Sequence, residues 1–272
     1  MYLLAKREPP TRLNTNELGV WFLDVGQGDC SLIADHDHAI LIDGGEYDNG
    51  FLIAEALKKR GITHLDAVIN SHPHSDHLGG LPTVLEQIPT DAVYLPDYPA
   101  SLTPTGYTFE RFLDVAEAQN LRISVPNCGD TLTFGGFSLT FFSIDNAAWE
   151  DLNDCSLVCR IAHGNNSFLF TGDITENAEN VMLAKNLIQP ATVLKTAHHG
   201  SGNSSSEAFL DAVQPEYAVI SVGSFNDYGH PSAHCLERLF ARTGDVFRTD
   251  IDGTTAFFSD GESLTVETHI TF

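Results

Sequence analysis

The apolar residues of this chain fall mostly in short runs of strand length, bounded by glycine, aspartate or asparagine. Examples near the amino terminus are residues 20–23, 31–34 and 39–42. Runs of this length suit β-strands, whereas a helix needs a longer periodic pattern. Helical periodicity does occur over residues 51–60, and it ends at Gly61, a residue that favours helix termination. The pattern therefore restricts the chain to a mixed fold in which short buried strands dominate.

The order of the predicted elements divides the chain into two similar halves. Each half starts with strands joined by tight turns and continues with strands and helices in alternation. The predicted strands cover residues 20–23, 31–34, 39–42, 65–70, 92–95, 131–134, 137–143, 156–162, 167–171, 192–197, 217–222, 246–248, 254–259 and 263–268, and the predicted helices cover 51–60, 78–88, 109–119, 175–186, 206–213 and 232–242. This order favours an α/β (α+β) fold in which two sheets pack together and helices cover their outer faces. We predict a polar lead-in over residues 1–17 and a single domain over residues 18–272, because no repeat or linker interrupts the chain.

Composition excludes several classes of protein. The 272 residues are 42% hydrophobic, which excludes intrinsic disorder. The apolar runs are too short to span a bilayer, and the first residues place apolar side chains before charged ones, the reverse of a secretory signal. We therefore expect a cytoplasmic protein with no membrane partner and with its five cysteines reduced. The formal net charge of −23 argues against an extended surface for nucleic acid.

Residues 71–77 read Ser-His-Pro-His-Ser-Asp-His and follow a predicted buried strand. Three imidazoles and one carboxylate at the end of a strand can converge on divalent cations, for which these groups are ordinary ligands. The alternative is a polar loop whose histidines are only solvated. Four residues of ligand type in this spacing favour a metal site made by His72, His74, Asp76 and His77.

The same string matches the H-x-H-x-D-H signature of the metallo-β-lactamase-like hydrolases, and further matches follow in order along the chain. They are residues 22–29 (FLDVGQGD), 41–45 (LIDGG), 169–173 (LFTGD), 194–201 (LKTAHHGS) and 228–231 (YGHP). Together they resemble the metallo-β-lactamase-like domain of ComEC-type DNA-uptake proteins and of related stand-alone hydrolases and phosphorylcholine esterases. This resemblance covers most of the chain and implies an αββα sandwich with a two-metal site at the edge of the sheets.

The resemblance also implies roles for individual residues in the first part of the site. His72 and His74 would bind one ion, and Asp76 and His77 would bind the other. Asp173, which follows a predicted strand, would bridge both ions. The ions are expected to be zinc, with manganese as the alternative.

The late motifs supply the remaining candidates. Adjacent residues of an extended chain face opposite ways, so we expect one of His198 and His199 to be a ligand, and we favour His199. The resemblance makes His230 a further ligand or a substrate contact. It also places Asp43 behind the ligands, where a carboxylate can accept the second N–H of an imidazole.

The chain departs from the family pattern in one place. Most dinuclear members have another histidine between the first cluster and the bridging aspartate, whereas residues 152–158 contain none. Asn153 or Asp154 could approach the first ion there, which leaves that part of the ligand set open. Two other histidines are not assigned to the site. His234 is expected on the surface, and His163 is expected to be exposed beside a hairpin turn.

Two divalent ions can lower the pKa of a bridging water and hold a phosphoryl oxygen. The expected reaction is therefore attack of a metal-bridging hydroxide on a phosphodiester, with Asp76 steering the nucleophile and His199 or His198 assisting the leaving oxygen. The acidic charge favours a small phosphodiester or a short single strand of nucleic acid as the substrate. The alternatives are hydrolysis of a carboxylic ester, lactone or thioester on the same site, and a metal-binding module without catalysis. No cofactor besides metal is indicated, and the oligomeric state is open.

Overall fold

The computed structural model describes residues 13–144 and 149–270, so residues 1–12 of the predicted lead-in lie outside the described part. Its strands are β1 (Leu18–Phe22), β2 (Ser31–Ala34), β3 (Ala39–Ile42), β4 (Ala67–Ile69), β5 (Ala92–Tyr94), β6 (Arg122–Ser124), β7 (Thr131–Phe134), β8 (Phe137–Phe142), β9 (Val158–His163), β10 (Asn166–Phe170), β11 (Val193–Lys195), β12 (Tyr217–Ile220), β13 (Asp245–Arg248), β14 (Thr254–Ser259) and β15 (Leu264–Ile270). Its α-helices are α1 (Asn49–Lys59), α2 (Ser75–Leu78), α3 (Leu81–Gln87), α4 (Tyr107–Ala118), α5 (Glu176–Ala184), α6 (Glu207–Val213), α7 (Ala233–Phe240) and α8 (Thr249–Asp252). Among these described helices, none combines the length and the apolar character needed to cross a bilayer.

The described strands form two mixed sheets. The first has the strand order β15-β14-β1-β2-β3-β4-β5-β6, and the second has the order β13-β12-β11-β10-β9-β8-β7. Strands β3 to β6 are parallel in the first sheet, and β10 to β13 are parallel in the second. Because the carboxyl ends of parallel strands meet at one edge, the segments that follow β3, β4, β10, β11 and β12 come together.

Because side chains alternate along the strands, the apolar residues form one layer between the sheets and one layer on the outer face of each sheet. In β3, Ile40 and Ile42 lie between the sheets, whereas Leu41 packs under the helices. Helices α1, α3 and α4 cover the first sheet through residues such as Phe112, and α5, α6 and α7 cover the second through residues such as Phe209. Burying one such ring contributes about 1.5–3 kcal/mol. The predicted αββα sandwich is therefore confirmed.

Two differences between the predicted and the observed elements have identifiable reasons. The helix predicted over 78–88 is divided into α2 and α3 at Gly79 and Gly80, because the loop after β3 approaches the backbone there. A Cβ atom on Gly80 would lie only 2.2 Å from the carbonyl oxygen of Gly44. Strand β6 has no counterpart among the predicted strands, because its three residues are mostly exposed and carry no apolar alternation.

Candidate metal centre

The histidine-rich string forms a turn at the carboxyl end of β4. His74 has extended backbone and directly precedes α2, so Asp76 and His77 lie in the first turn of that helix. The Nε2 atom of His72 lies 3.0 Å from Nδ1 of His74. The ring centres of His72 and His77 are 4.1 Å apart. The structure thus brings the histidines of this turn together.

Asp173 and His199 come from the second sheet and face this turn. Oδ2 of Asp173 is 3.3 Å from Nε2 of His77 and 3.3 Å from Nε2 of His199. Oδ2 of Asp76 is 3.1 Å from the same nitrogen of His199. Four ligand atoms around a tetrahedral ion at about 2.0–2.2 Å are separated by about 3.3–3.6 Å. The distances of 3.1–3.3 Å are close to that range, so these residues fit a zinc-sized ion.

The site has two parts, which we name by their side chains. The carboxylate-rich half consists of Asp76, His77, Asp173 and His199. The histidine pair consists of His72 and His74. His77 connects them, because its ring lies between the ring of His72 and that of His199, whose centre is 5.2 Å away.

The far nitrogens of two imidazoles are held by oxygen acceptors. Nδ1 of His77 lies 2.9 Å from Oδ2 of Asp43, and Nδ1 of His199 lies 2.8 Å from the carbonyl oxygen of Ser221. A carbonyl oxygen can only accept, so His199 carries a proton on Nδ1 and in its neutral form keeps a lone pair on Nε2. A ligating histidine usually donates its other N–H to a carboxylate or a carbonyl. Both Nε2 atoms are therefore oriented for a metal.

Asp43 fixes the turn that carries the first candidate ligands. Its backbone φ is +59°, in the left-handed region that aspartate tolerates better than most residues. Its carboxylate accepts from the backbone N–H of Ser71 at 2.7 Å, from the Ser71 hydroxyl at 2.7 Å and from the Asn70 amide at 3.0 Å. One buried carboxylate therefore holds both the residue before His72 and the ring of His77.

Burial and mutual contact shift the pKa values of these groups in different directions. Although burial opposes the change, Asp173 and Asp29 raise the pKa of His77 well above its ordinary value. The charges of His199 and His77 lower the pKa of Asp173 against the effect of burial. Burial, followed by the charge of His77, lowers the pKa of His72 well below its ordinary value. Positive charge is thus attracted to the carboxylate-rich half, while His72 is held neutral.

A buried ion pair lies behind the carboxylate-rich half. Lys195, at the end of β11, contacts Asp29 and lies 3.8 Å from Oδ1 of Asp173. Although burial alone would lower it, Asp29 and Asp173 raise the pKa of Lys195. Asp29 also lies 3.7 Å from Nδ1 of His77 and 3.4 Å from Nδ1 of His199. The carboxylate of Asp29 therefore faces the Nδ1 atoms, which Asp43 and the carbonyl oxygen of Ser221 already hold, and it supports the imidazoles from behind. It is nevertheless close to the cluster, since one ligand-type atom each from Asp29, His77, Asp173 and His199 lies within 4.8 Å of the others.

Neither Asp29 nor Lys195 is among the site residues predicted from the sequence. The signal for Lys195 is a lone charge in the short apolar strand β11, because a buried lysine needs a partner. The signal for Asp29 is the glycine before it. Gly28 has a φ of +133°, and a Cβ atom there would lie 2.3 Å from the carbonyl oxygen of Asp76. The loop of Asp29 can therefore approach the candidate ligands only with glycine at that position.

The two histidines after β11 lie in a tight turn instead of an extended strand. The predicted strand ends early, at Lys195, and Ala197–Gly200 forms a 3₁₀ turn in which His198 and His199 have φ values of 50° and 52°. Each such left-handed residue costs about 1–3 kcal/mol. The expectation that the two residues face opposite ways assumed extended backbone and does not apply. The turn buries His199, whereas His198 keeps its side chain 24% exposed, with Nε2 3.9 Å from Oδ2 of Asp173.

His230 lies beside this cluster. Its ring centre is 5.6 Å from that of His198 on one side and 5.9 Å from that of Tyr228 on the other. Among the described residues, its Nδ1 atom is buried without a hydrogen-bond partner. This position at the flank of the cluster suits the substrate contact that the sequence leaves open for His230.

The segment that replaces the missing histidine packs against the histidine turn. The backbone N–H of Leu157 donates to the carbonyl oxygen of Ser71 at 2.8 Å. Asp154 is engaged elsewhere, since its Oδ1 accepts from the backbone N–H of Thr175 at 2.9 Å. Oδ1 of Asn153 is buried and has no hydrogen-bond partner within the described part of the chain. Asn153 is therefore the better candidate of the two for the first ion.

The predicted exposure is correct for one of two histidines outside the site and wrong for the other. The side chain of His234 is 82% exposed, as predicted. The prediction that His163 is exposed is wrong, because only 8% of it is accessible and its Nδ1 lies 2.8 Å from Oγ of Ser259. The physical reason is that the turn between β14 and β15 covers the hairpin, where the N–H of Asn165 donates to the carbonyl oxygen of Gly261 at 2.7 Å.

Comparison of the sequence with known proteins agrees with the motifs. The sequence model of the family described as the metallo-beta-lactamase superfamily matches residues 23–224. The chain is 30% identical to ComE operon protein 3 of Bacillus subtilis (strain 168), over 88% of this chain and 33% of that protein. It is 31% identical to competence protein ComA of Neisseria gonorrhoeae, over 91% of this chain and 33% of that protein. The chain thus spans about a third of the length of these curated relatives.

A shorter match involves a different kind of protein. The hydroxyacylglutathione hydrolase of Xylella fastidiosa (strain M12) is 41% identical, over 24% of this chain and 24% of that protein.

Solved structures share the fold at low sequence identity. The metallo-beta-lactamase fold protein YhfI from Bacillus subtilis superposes with a TM-score of 0.57 and 14% identity, over 92% of this chain and 99% of that chain. CmlA, a diiron beta-hydroxylase from Streptomyces venezuelae, superposes with a TM-score of 0.55 and 14% identity, over 85% of this chain and 52% of that chain. At these identities the likeness concerns the fold alone.

Proposed function

This chain belongs to the metallo-β-lactamase superfamily, and from that premise we propose that it is a metal-dependent hydrolase of phosphodiesters, a phosphodiesterase or nuclease. The observation that carries the proposal is the convergence of the carboxylate-rich half. Its nitrogen and oxygen atoms approach to 3.1–3.9 Å where the two sheets meet. Oriented imidazoles and carboxylates are the ligands that zinc and related divalent cations take in catalytic sites.

The donor atoms suit two divalent ions, with zinc expected and manganese as the alternative. One ion would be held by the carboxylate-rich half. The other would be held by the histidine pair together with Asp173 and the amide oxygen of Asn153. Oδ1 of Asp173 and Oδ1 of Asn153 are buried and, among the described residues, have no hydrogen-bond partner, which leaves them able to accept a cation. When bound, such ions lower the pKa of a water and neutralise charge on a phosphoryl oxygen.

The protein's own groups would position the reacting atoms. The side chain of Asp76 is 20% exposed at the opening of the cluster, where it can orient an attacking water. His198 lies at the same opening, and burial lowers its pKa. It is therefore a neutral hydrogen-bond donor to the leaving oxygen. Asp29 and Lys195 would keep the imidazoles in place from behind.

The proposed substrate is a small phosphodiester or a short single strand. The net charge of −23 opposes binding of a long polyanion, whose affinity comes largely from lysine and arginine. Two cations of the second half of the chain are already engaged. Lys195 contacts Asp29, and Arg238 donates to the carbonyl oxygens of Ser204 and Ser205. The similarity to a competence protein over nine-tenths of the chain supports nucleic acid as the source of the phosphodiester.

Hydrolysis of a thioester, or of another carboxylic ester or lactone, is the second candidate. The similarity to a hydroxyacylglutathione hydrolase supports it, but that match covers 24% of the chain. The competence proteins match over 88–91% of the chain. The broader match is the reason for preferring phosphodiesters.

The test combines metal analysis with a substrate panel on metal-reconstituted protein. The panel contains bis-p-nitrophenyl phosphate, cyclic nucleotides, single- and double-stranded DNA, a lactone and a thioester. We expect about two ions per chain and the highest turnover on phosphodiesters. His199→Ala should abolish turnover, while His234→Ala, which changes an exposed histidine on α7, should retain it. Preference for the thioester or the lactone, or full activity of His199→Ala, would overturn the proposal.

A further inference from the structure

We propose that Tyr228 is a stacking platform for an unpaired nucleobase of the substrate, next to the metal centre. Tyr228 lies in the loop of residues 223–230, here called the aromatic loop, which leads from β12 towards α7. The inference rests on the proposed phosphodiesterase function and names the part of the substrate that this loop would recognise.

A row of rings leads from the surface to the metal centre. The ring of Tyr228 stacks on that of His230 with 5.9 Å between centres and 19° between planes. The ring of His230 meets that of His198 at 5.6 Å, and Nε2 of His198 lies 3.9 Å from Oδ2 of Asp173. Tyr228 is 69% exposed, so its outer face is open to solvent. A flat group placed on that face extends the row of rings that leads to the carboxylate proposed to bridge the ions.

The aromatic loop is fixed at both ends to the loops that build the site. The N–H of Gly223 donates to Oε1 of Gln27 at 3.2 Å, and beyond the loop the N–H of Ser232 donates to the carbonyl oxygen of Gly200 at 2.9 Å. Inside the loop, the Asn226 side chain donates to the carbonyl oxygen of Gly223 at 3.0 Å. A platform held in place before binding loses little conformational entropy when a ligand arrives.

A second aromatic residue of the loop, Phe225, has an unfavourable backbone conformation. Phe225 is fully exposed, at 104% of its reference area, and has a φ of +59°. A bulky residue in left-handed backbone is a conformational outlier, and such strain concentrates at ligand sites. Folding gains nothing from this exposed ring, so its position agrees with a role in contacting a ligand beside Tyr228.

The charge of the protein favours stacking over phosphate contacts. Base stacking on an aromatic ring needs no positive charge, and it accepts every base because each has a π-face. It therefore gives an acidic protein a way to hold a short strand. A choline headgroup is the competing ligand, but it is recognised by rings that surround a cation. Tyr228 instead lies nearly parallel to a histidine, which suits a flat group.

The test measures binding of fluorescein-labelled oligothymidylate with hydrolysis-resistant phosphorothioate linkages to metal-reconstituted protein. An abasic oligomer of the same length and charge is the matched ligand. For the wild-type protein we expect the oligothymidylate to bind about 5- to 100-fold more tightly than the abasic oligomer. Tyr228→Ala should reduce that ratio to near one, and Tyr228→Phe should restore it. Phe240→Ala, which removes an exposed ring at the far end of α7, should leave the ratio unchanged.

The outcomes separate this inference from the proposed function. Equal binding of both oligomers by the wild-type protein, with turnover of bis-p-nitrophenyl phosphate intact, overturns the nucleobase platform alone. A loss of p-nitrophenylphosphorylcholine binding in Tyr228→Ala, with an unchanged oligothymidylate ratio, also overturns it. Absence of turnover on every phosphodiester overturns the proposed function, whereas the base-dependent binding ratio still reports on the platform.

Discussion

The two halves of the metal centre are built on different principles. In the carboxylate-rich half, buried carboxylates face imidazoles whose far nitrogens are held by Asp43 and by the carbonyl oxygen of Ser221. In the histidine pair, His72 and His74 contact each other at 3.0 Å, and the Ser71 hydroxyl lies 3.1 Å from Nδ1 of His72. The first half is charged and held from behind, whereas the second is held by neutral groups.

Because of this difference, ions held by the two halves would not bind alike. Buried carboxylates with strongly lowered pKa values attract a cation at neutral pH, because they remain ionised there. In the proposed second site the imidazoles and the amide are neutral ligands, and the shared Asp173 supplies the charge. We therefore expect the carboxylate-rich half to bind its ion tightly and the histidine pair to bind the other more weakly.

Asp173 is the carboxylate that both halves share in the proposed site. Asp173→Asn keeps the shape of the side chain and removes its charge, so both ions should be lost. Hydrolysis should then fall by about a thousandfold or more, because metal ions supply several kcal/mol of transition-state stabilisation. The measurements are metal content per chain and kcat. Asp91→Asn, at an exposed position, is the control, and retention of two ions by Asp173→Asn contradicts the shared role.

Lys195 supports only the carboxylate-rich half. Lys195→Met should lower the free energy of unfolding of the metal-free protein by about 3–5 kcal/mol, because it leaves the buried Asp29 without its partner. Urea denaturation measures the change, and Lys185→Met, at an exposed position, is the control. Adding Asp29→Asn to Lys195→Met should recover part of the loss. An equal effect of the two lysine substitutions would show that the pair contributes nothing.

His77 and His72 should affect different ions. His77→Ala removes a ligand of the carboxylate-rich half and should weaken the tight ion by more than about 100-fold, since losing only an orienting partner already costs 10- to 100-fold. His72→Ala should remove the weaker ion and leave about one ion per chain. Titration with a competing chelator measures both affinities. If both variants lose the same ion, the two halves are not distinct sites.

Asn153 should have the smallest effect. Asn153→Ala removes a neutral oxygen and should weaken only the second ion, by about 10-fold. Asn153→Asp adds a negative charge at the same place and should strengthen that ion instead. The same chelator titration measures both changes. A change in the tight ion would place Asn153 with the other half.

The grouping of the residues in the string 71–77 could be predicted, because local pattern carries their geometry. The ligand-type residues of the string 71–77 are within six positions of one another, and a strand that ends before them fixes their edge. The succession of buried strands along the chain was likewise predictable, because each strand corresponds to a short apolar run. Asp29 and Lys195 meet only through tertiary structure, and the sequence shows no pairing between them. The turn of His198 and His199 depends on left-handed backbone, which no hydrophobic pattern reports.

The ligands of the carboxylate-rich half come from both sheets, and His77 and His199 are 122 positions apart in the chain. An ion bound there acts as a reversible cross-link between the two halves of the sandwich. Because a ligand that binds only the folded state stabilises it by mass action, we expect bound metal to stabilise this fold. A chelator should therefore lower the melting temperature and open the protein first along the edge where the sheets meet. The availability of the ion would then determine how long the chain stays folded.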